Sequence, residues 1–209
     1  MEEPDRRILE LFHAVQSGAS CGEGPSGGKS IYVSRSRIDI KLGRMAGEEQ
    51  FENYMRLEGY EMMYPEQLPF PEQLRLYRSA ERLVFSEGSA IHSAILFART
   101  KAKISVILRR PGMDVWIQKF FSSISLKADI INCVQRHDTF GLSPHMGVSI
   151  VDFLAVSERL AQAGFVQNPY FKWPSFSHEA IRDHYNRYVA RVERETGFVH
   201  PGKVPERKS

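Results

Sequence analysis

A chain of 209 residues with 42% apolar side chains holds enough hydrophobic material for a real core, which excludes wholesale disorder. Its 28 basic and 25 acidic residues leave a net charge of only +3, and no basic stripe of the kind a nucleic-acid binder carries is present. No apolar run approaches the ~20 residues needed to span a bilayer, and Met1-Glu2-Glu3-Pro4 lacks a signal-peptide core, so the expected address is cytoplasmic.

Along the chain, Asp5 to Val15 has helical apolar spacing at Ile8, Leu9, Leu11, Phe12 and Val15. The Gly/Ser-rich stretch from Ser17 to Ser30 reads as a flexible linker. Ile31-Tyr32-Val33 is a short β-rich run. Glu48 to Glu58 reads as a helix with Phe51, Tyr54 and Met55 on one side, ended by Gly59. Tyr60 to Tyr64 looks like a strand, and Phe70 to Ser79 a helix with Pro71 in its first turn. Leu83-Val84-Phe85 is the next strand, Ser86 to Ser89 a tight loop, and a helix follows from about Ala90 to Ala98. Ile104 to Leu108 is a buried-type strand, Val115 to Ile124 an aromatic-rich helix, and Ile130 to Val134 a further strand. From Ser149 onward the pattern is helical, with Ile150 to Leu160 and His178 to Glu195 separated by a Pro/aromatic segment.

Strands alternating with short helices predict an α/β fold, a Rossmann-like parallel sheet with a helical C-terminal extension. Continuous apolar strands suit a sheet covered on both faces. The expected organisation is an N-terminal helix and linker over 1–29, the Rossmann-like domain over 30–135, and a loop and helical extension over 136–209.

One motif misleads. Gly24-Pro25-Ser26-Gly27-Gly28-Lys29-Ser30 resembles a phosphate-binding P-loop, but Glu23 stands where the first glycine is required. The stretch also precedes a strand instead of following one. The informative segment is Leu83-Val84-Phe85-Ser86-Glu87-Gly88-Ser89-Ala90-Ile91-His92, a strand leading through small residues into a helix start. In an open parallel sheet the ligand crevice lies at the carboxyl ends of the strands. Gly88 would let backbone approach a ligand, and the amides of Ser89 to Ile91 would offer an anion site suited to a diphosphate. Ser89 can add a hydroxyl and His92, one turn on, can reach the same phosphate. The plainer alternative is that Ser86 or Ser89 caps the helix and His92 is a satisfied side chain. Glu87 would accept hydrogen bonds from ribose hydroxyls, or simply favour the helix dipole. Arg35, just past the first strand, can clamp phosphate oxygens in a bidentate fork, and Arg37 shares that ambiguity less strongly.

From Ile31 to about Leu108 the chain resembles glycosyltransferase family 61, in the C-terminal, donor-binding part found in a bacterial subgroup of capsular polysaccharide type. The matching pieces, in order, begin with Ile31-Tyr32-Val33-Ser34-Arg35 and Glu58-Gly59-Tyr60-Glu61. They continue with Tyr64-Pro65-Glu66, Phe70-Pro71-Glu72-Gln73-Leu74 and Glu87-Gly88-Ser89-Ala90-Ile91-His92. The resemblance implies a two-domain GT-B architecture and an inverting transfer from a nucleotide sugar, a UDP-sugar above all, to a glycan or polysaccharide. It implies no cofactor and no obligatory metal. By position, Arg35, Glu87, Gly88, Ser89 and His92 correspond to the donor site, and Glu66 and Gln73 are as readily structural, Gln73 as a loop brace. Relatives carry an N-terminal acceptor domain, where this chain has only Asp5 to Val15 before its linker.

Other candidates are weaker. Cys21 and Cys133 lie in different settings and suggest neither a disulfide framework nor zinc. His137, Asp138 and His145 match no zinc spacing, and His178 and His184 are too far out of phase on a helix to chelate. Trp116, Phe120 and Phe121 could stack on a base or sugar, though their helical spacing also suits core use. The alternative function is a non-catalytic nucleotide-sugar-binding module. On this reading Arg35→Ala and Glu87→Ala each weaken nucleotide binding without unfolding the protein.

Overall fold

A computed structural model describes residues 28–39, 42–97, 101–139, 143–169 and 178–197. The expected helix Asp5 to Val15 and most of the linker lie outside those residues, and Lys29 and Ser30 already belong to the first strand.

The strands are β1 (Lys29–Val33), β2 (Arg44–Met45), β3 (Tyr60–Met63), β4 (Ala80–Ser86), β5 (Lys103–Ile107), β6 (Asp129–Ile131), β7 (Val134–Asp138) and β8 (Val148–Val151). The α-helices are α1 (Glu48–Leu57), α2 (Phe70–Ser79), α3 (Asp114–Ser123), α4 (Phe153–Gln162) and α5 (His178–Thr196). Gly47, in the left-handed region at φ 82°, turns the chain into α1. Glu48 and Glu49 then face the positive end of that helix.

Five strands form one sheet in the order β3-β1-β4-β5-β6, every neighbouring pair parallel. Connections from β1 run to one side and those from β4 to the other, so the order reverses between these two strands. That reversal opens a crevice beyond their carboxyl ends, where doubly wound sheets hold ligands. The fold is the expected Rossmann-like α/β sheet.

Alternation along the strands fills two cores. Ile31, Val33, Leu83, Phe85, Ile104 and Val106 meet Tyr77 of α2 and Ile117 and Phe121 of α3 on one face. Tyr32, Val84 and Ile107 meet Phe51 and Met55 of α1 and Phe153, Val156 and Leu160 of α4 on the other. Phe153 stacks on Phe51 at 4.7 Å between ring centroids and is fully buried. Phe153→Ala is therefore expected to lower stability by about 3–5 kcal/mol, read from urea unfolding. A loss below about 1 kcal/mol would mean that this helix does not seal the core.

Two sequence expectations need correction. Residues from 149 onward do not begin in a helix, because the β-branched run Val148-Ser149-Ile150-Val151 forms β8. Asp152 then starts α4, its carboxylate accepting from the Ala155 N–H at 3.0 Å. β8 is the middle strand of a small second sheet, β2-β8-β7, parallel to β2 and antiparallel to β7. Ile181, Tyr185, Tyr188, Val189 and Val192 of α5 cover it. The helix expected from Ala90 to Ala98 is instead a run of 3-10 turns, Ser89–Phe97. Among the described residues no helix is long and apolar enough to cross a membrane.

Candidate functional site

The crevice is built where β1, β4 and β5 end. Past β1 the Ser34 N–H still donates to the Met63 carbonyl, and the Arg35 N–H donates to Oε1 of buried Glu48 at 3.0 Å. The same carboxylate takes the hydroxyls of Tyr32 and Ser34, so the backbone under Arg35 is fixed from three directions. The Arg35 side chain is 8% exposed, and its Nη2 donates to the Leu42 carbonyl at 2.8 Å. Its Nε has no hydrogen-bond partner among the described residues.

Arg35 reaches the turn after β4. A Cβ on Gly88 would stand 2.1 Å from Nη1 of Arg35 and 2.8 Å from its Cδ and Cζ. Glycine at 88 thus makes room for a guanidinium.

The turn after β5 is held from below. Glu87 is 0% exposed, and its Oε2 accepts from the N–H groups of Arg109 and Arg110, both at 2.8 Å. Its Oε1 accepts from Arg110 Nε at 2.5 Å. A carboxylate engaged in this way aims two arginines, and neither oxygen is offered to a ribose. The ribose-accepting role expected of Glu87 is replaced by a positioning one.

Arg109 is 2% exposed; it donates to the carbonyls of Gly147 and His145, each at 3.1 Å, and its Nε has no hydrogen-bond partner among the described residues. Burial lowers its pKa to about 10, with Arg35 and Arg110 pushing the same way against Glu87. Burial also lowers Arg35, opposed chiefly by Glu48 and Glu87. Both guanidinium groups remain charged at neutral pH. Arg110 Nη1 bonds Nδ1 of His145. That bond makes Nδ1 the acceptor and leaves the Nε2–H as the donor.

These groups surround a cavity of about 490 Å³. Of the residues singled out from the sequence, Arg35, Gly88, Ser89, His92, Trp116 and His145 line it together. Glu87 sits beneath them. The Ile91 N–H, expected to face a ligand, is spent on the Gly88 carbonyl at 3.2 Å, because the 3-10 turn closes three residues apart. Arg37 leaves the site: it lies over the Tyr64 ring at 3.9 Å and donates to Gln67. Gln73 braces the turn holding Glu66, donating to the Pro65 and Leu68 carbonyls at 2.7 and 2.9 Å. His137 bonds Ser149 at 2.9 Å within the second sheet. Among the described residues no three His, Cys, Asp or Glu side chains gather as a metal site.

Sequence reasoning missed Arg109, Arg110 and the cavity role of His145. Leu108-Arg109-Arg110-Pro111-Gly112, a strand end followed by two arginines and a turn, carried a signal of the same kind as Arg35.

A family model described as Glycosyltransferase 61 matches residues 6–105, just under half of the chain. The match includes Arg35 and the 87–92 turn and stops within β5, before Arg109. It supports the resemblance to that family over this span, without reaching to the subgroup or to the C-terminal placement expected from the motifs. No curated protein matches the chain.

Proposed function

We propose that the cavity holds the diphosphate of a nucleotide-sugar donor, a UDP-sugar above all. The chain would serve an inverting, metal-independent transfer to a glycan or polysaccharide, as the donor half of a GT-B arrangement. One observation carries this reading: two buried guanidinium groups, Arg35 and Arg109, each keep an Nε without a hydrogen-bond partner among the described residues, beside a third arginine at the switch point of the sheet. Burying such charge is costly unless an anion completes it. Fixed arginines near the leaving diphosphate would stabilise charge as it develops, without reorganisation during the reaction.

A second reading has its own support. Transfer needs a general base for the acceptor hydroxyl. None of the described residues lining the cavity is a carboxylic acid; of its two histidines, His145 presents a donor and His92 is turned edge-on against Trp116 and Phe120. The chain then binds the donor while a separate acceptor domain supplies the base, or it is a binding module only.

Calorimetry with UDP, GDP and inorganic pyrophosphate tests the site. Arg35→Ala is expected to weaken all three roughly 10–100-fold, the loss of a charged hydrogen bond, with the unfolding midpoint little changed. Unaltered affinity in that variant would remove Arg35 and the donor reading with it. Binding without sugar hydrolysis or transfer would select the module.

A further inference from the structure

The aromatic helix α3 divides in the structure. Phe121 is fully buried against the sheet, whereas Trp116 is 46% exposed and lines the same cavity as the arginines. Its ring is not loose. Trp116 lies parallel to Phe120, 5.8 Å between centroids and 5° between planes. His92 meets both rings edge-on, at 5.5 Å from Trp116 and 5.3 Å from Phe120. Desolvation lowers the His92 pKa, so the imidazole is neutral at neutral pH and acts there as a third aromatic wall. A large aromatic side chain held rigid at a cavity mouth, with much of its surface uncovered, is a stacking platform with little entropy left to lose.

We propose that Trp116, steadied by Phe120 and His92, stacks on the base of the nucleotide whose diphosphate lies on the arginines. This assignment rests on the donor reading above. The two flanks of the cavity differ in chemistry. On the side of α3 and the 3-10 run, Trp116, Met113 and Ile91 offer an apolar, planar lining. On the side of the second sheet, His145 offers an N–H and Arg110 its guanidinium. A nucleotide sugar has one planar, weakly hydrated end and one rich in hydroxyls, with the diphosphate between them. Matching chemistry to chemistry puts the base on Trp116 and the sugar toward His145. A parallel Trp–Phe pair is extended by a third flat ring in the geometry that aromatic stacking favours.

The chain has two tryptophans, so Trp173→Phe leaves Trp116 as the sole indole reporter. In that protein UDP and GDP are expected to quench Trp116 emission, while pyrophosphate binds without quenching. Trp116→Ala should weaken UDP and GDP roughly 5- to 100-fold, leave pyrophosphate affinity unchanged, and recover most of the loss as Trp116→Phe. If Trp173→Phe does not fold, the difference between wild type and Trp116→Phe gives the same signal. Failure of pyrophosphate to bind the wild-type protein would remove the donor reading itself. Pyrophosphate and nucleotides binding normally, with no quenching and no effect of Trp116→Ala, would overturn the base assignment alone. So would a variant that loses affinity for UDP-sugar but keeps it for UDP, since the ring would then serve the sugar.

Discussion

Gly88→Ala is expected to lower pyrophosphate and UDP affinity roughly 10–100-fold while leaving the unfolding midpoint close to wild type. Gly88 has an ordinary backbone conformation that alanine can adopt, so no backbone strain opposes the change. The atoms nearest its missing Cβ belong to the Arg35 side chain, with Nη1 at 2.1 Å. A methyl group there displaces the guanidinium from its seat and spoils the fork. Because the two residues act through one contact, their effects should not add. In an Arg35→Ala background, Gly88→Ala is expected to change affinity by less than about twofold, within the tolerance of a double-mutant cycle. Full additivity would mean that Gly88 meets the ligand directly and that the contact with Arg35 is incidental.

Glu87→Ala is expected to cost about 3–5 kcal/mol of folding stability, the scale for breaking a buried charged pair from one side. The variant strands two backbone donors and the Arg110 Nε that now share one carboxylate. It would also release the turn that presents Arg109 and Arg110, so ligand affinity falls with stability. Glu87→Gln keeps an acceptor oxygen and should lie between the two. Urea unfolding read by linear extrapolation measures the difference. An alanine variant with wild-type stability but weakened nucleotide binding would return Glu87 to the ribose role expected from the sequence.

What the sequence made legible follows from how local each signal was. The cores of β1, β4 and β5 show as continuous apolar runs, because a sheet covered on both faces leaves no polar alternation to blur them. Arg35 and the Gly88 turn could be placed because both stand directly after such runs. The second sheet was not legible. β2 is two residues long, and most of β7 is polar, Gln135-Arg136-His137-Asp138, with no alternation to find. The run of β8 passes into α4 with only Asp152 between them, so one apolar pattern hides two elements. The role of Glu87 was misjudged for a related reason. Its partners follow β5, and only the parallel register aligning Ser86 with Ile107 brings Arg109 and Arg110 above it. Spacing along one segment cannot disclose a partner supplied by another.

The pairing of β2 with β8, Arg44 beside Val148, has a consequence for how the protein is made. Synthesis delivers Arg35 and Gly88 well before the carbonyls of His145 and Gly147 that anchor Arg109. Until the ribosome has released that later segment, the nascent chain carries three clustered cations without their final supports. Contacts between segments so far apart in sequence form slowly, so this rim is expected to close late in folding. An anion that recognises only the closed rim would draw the newborn chain toward its finished state by mass action.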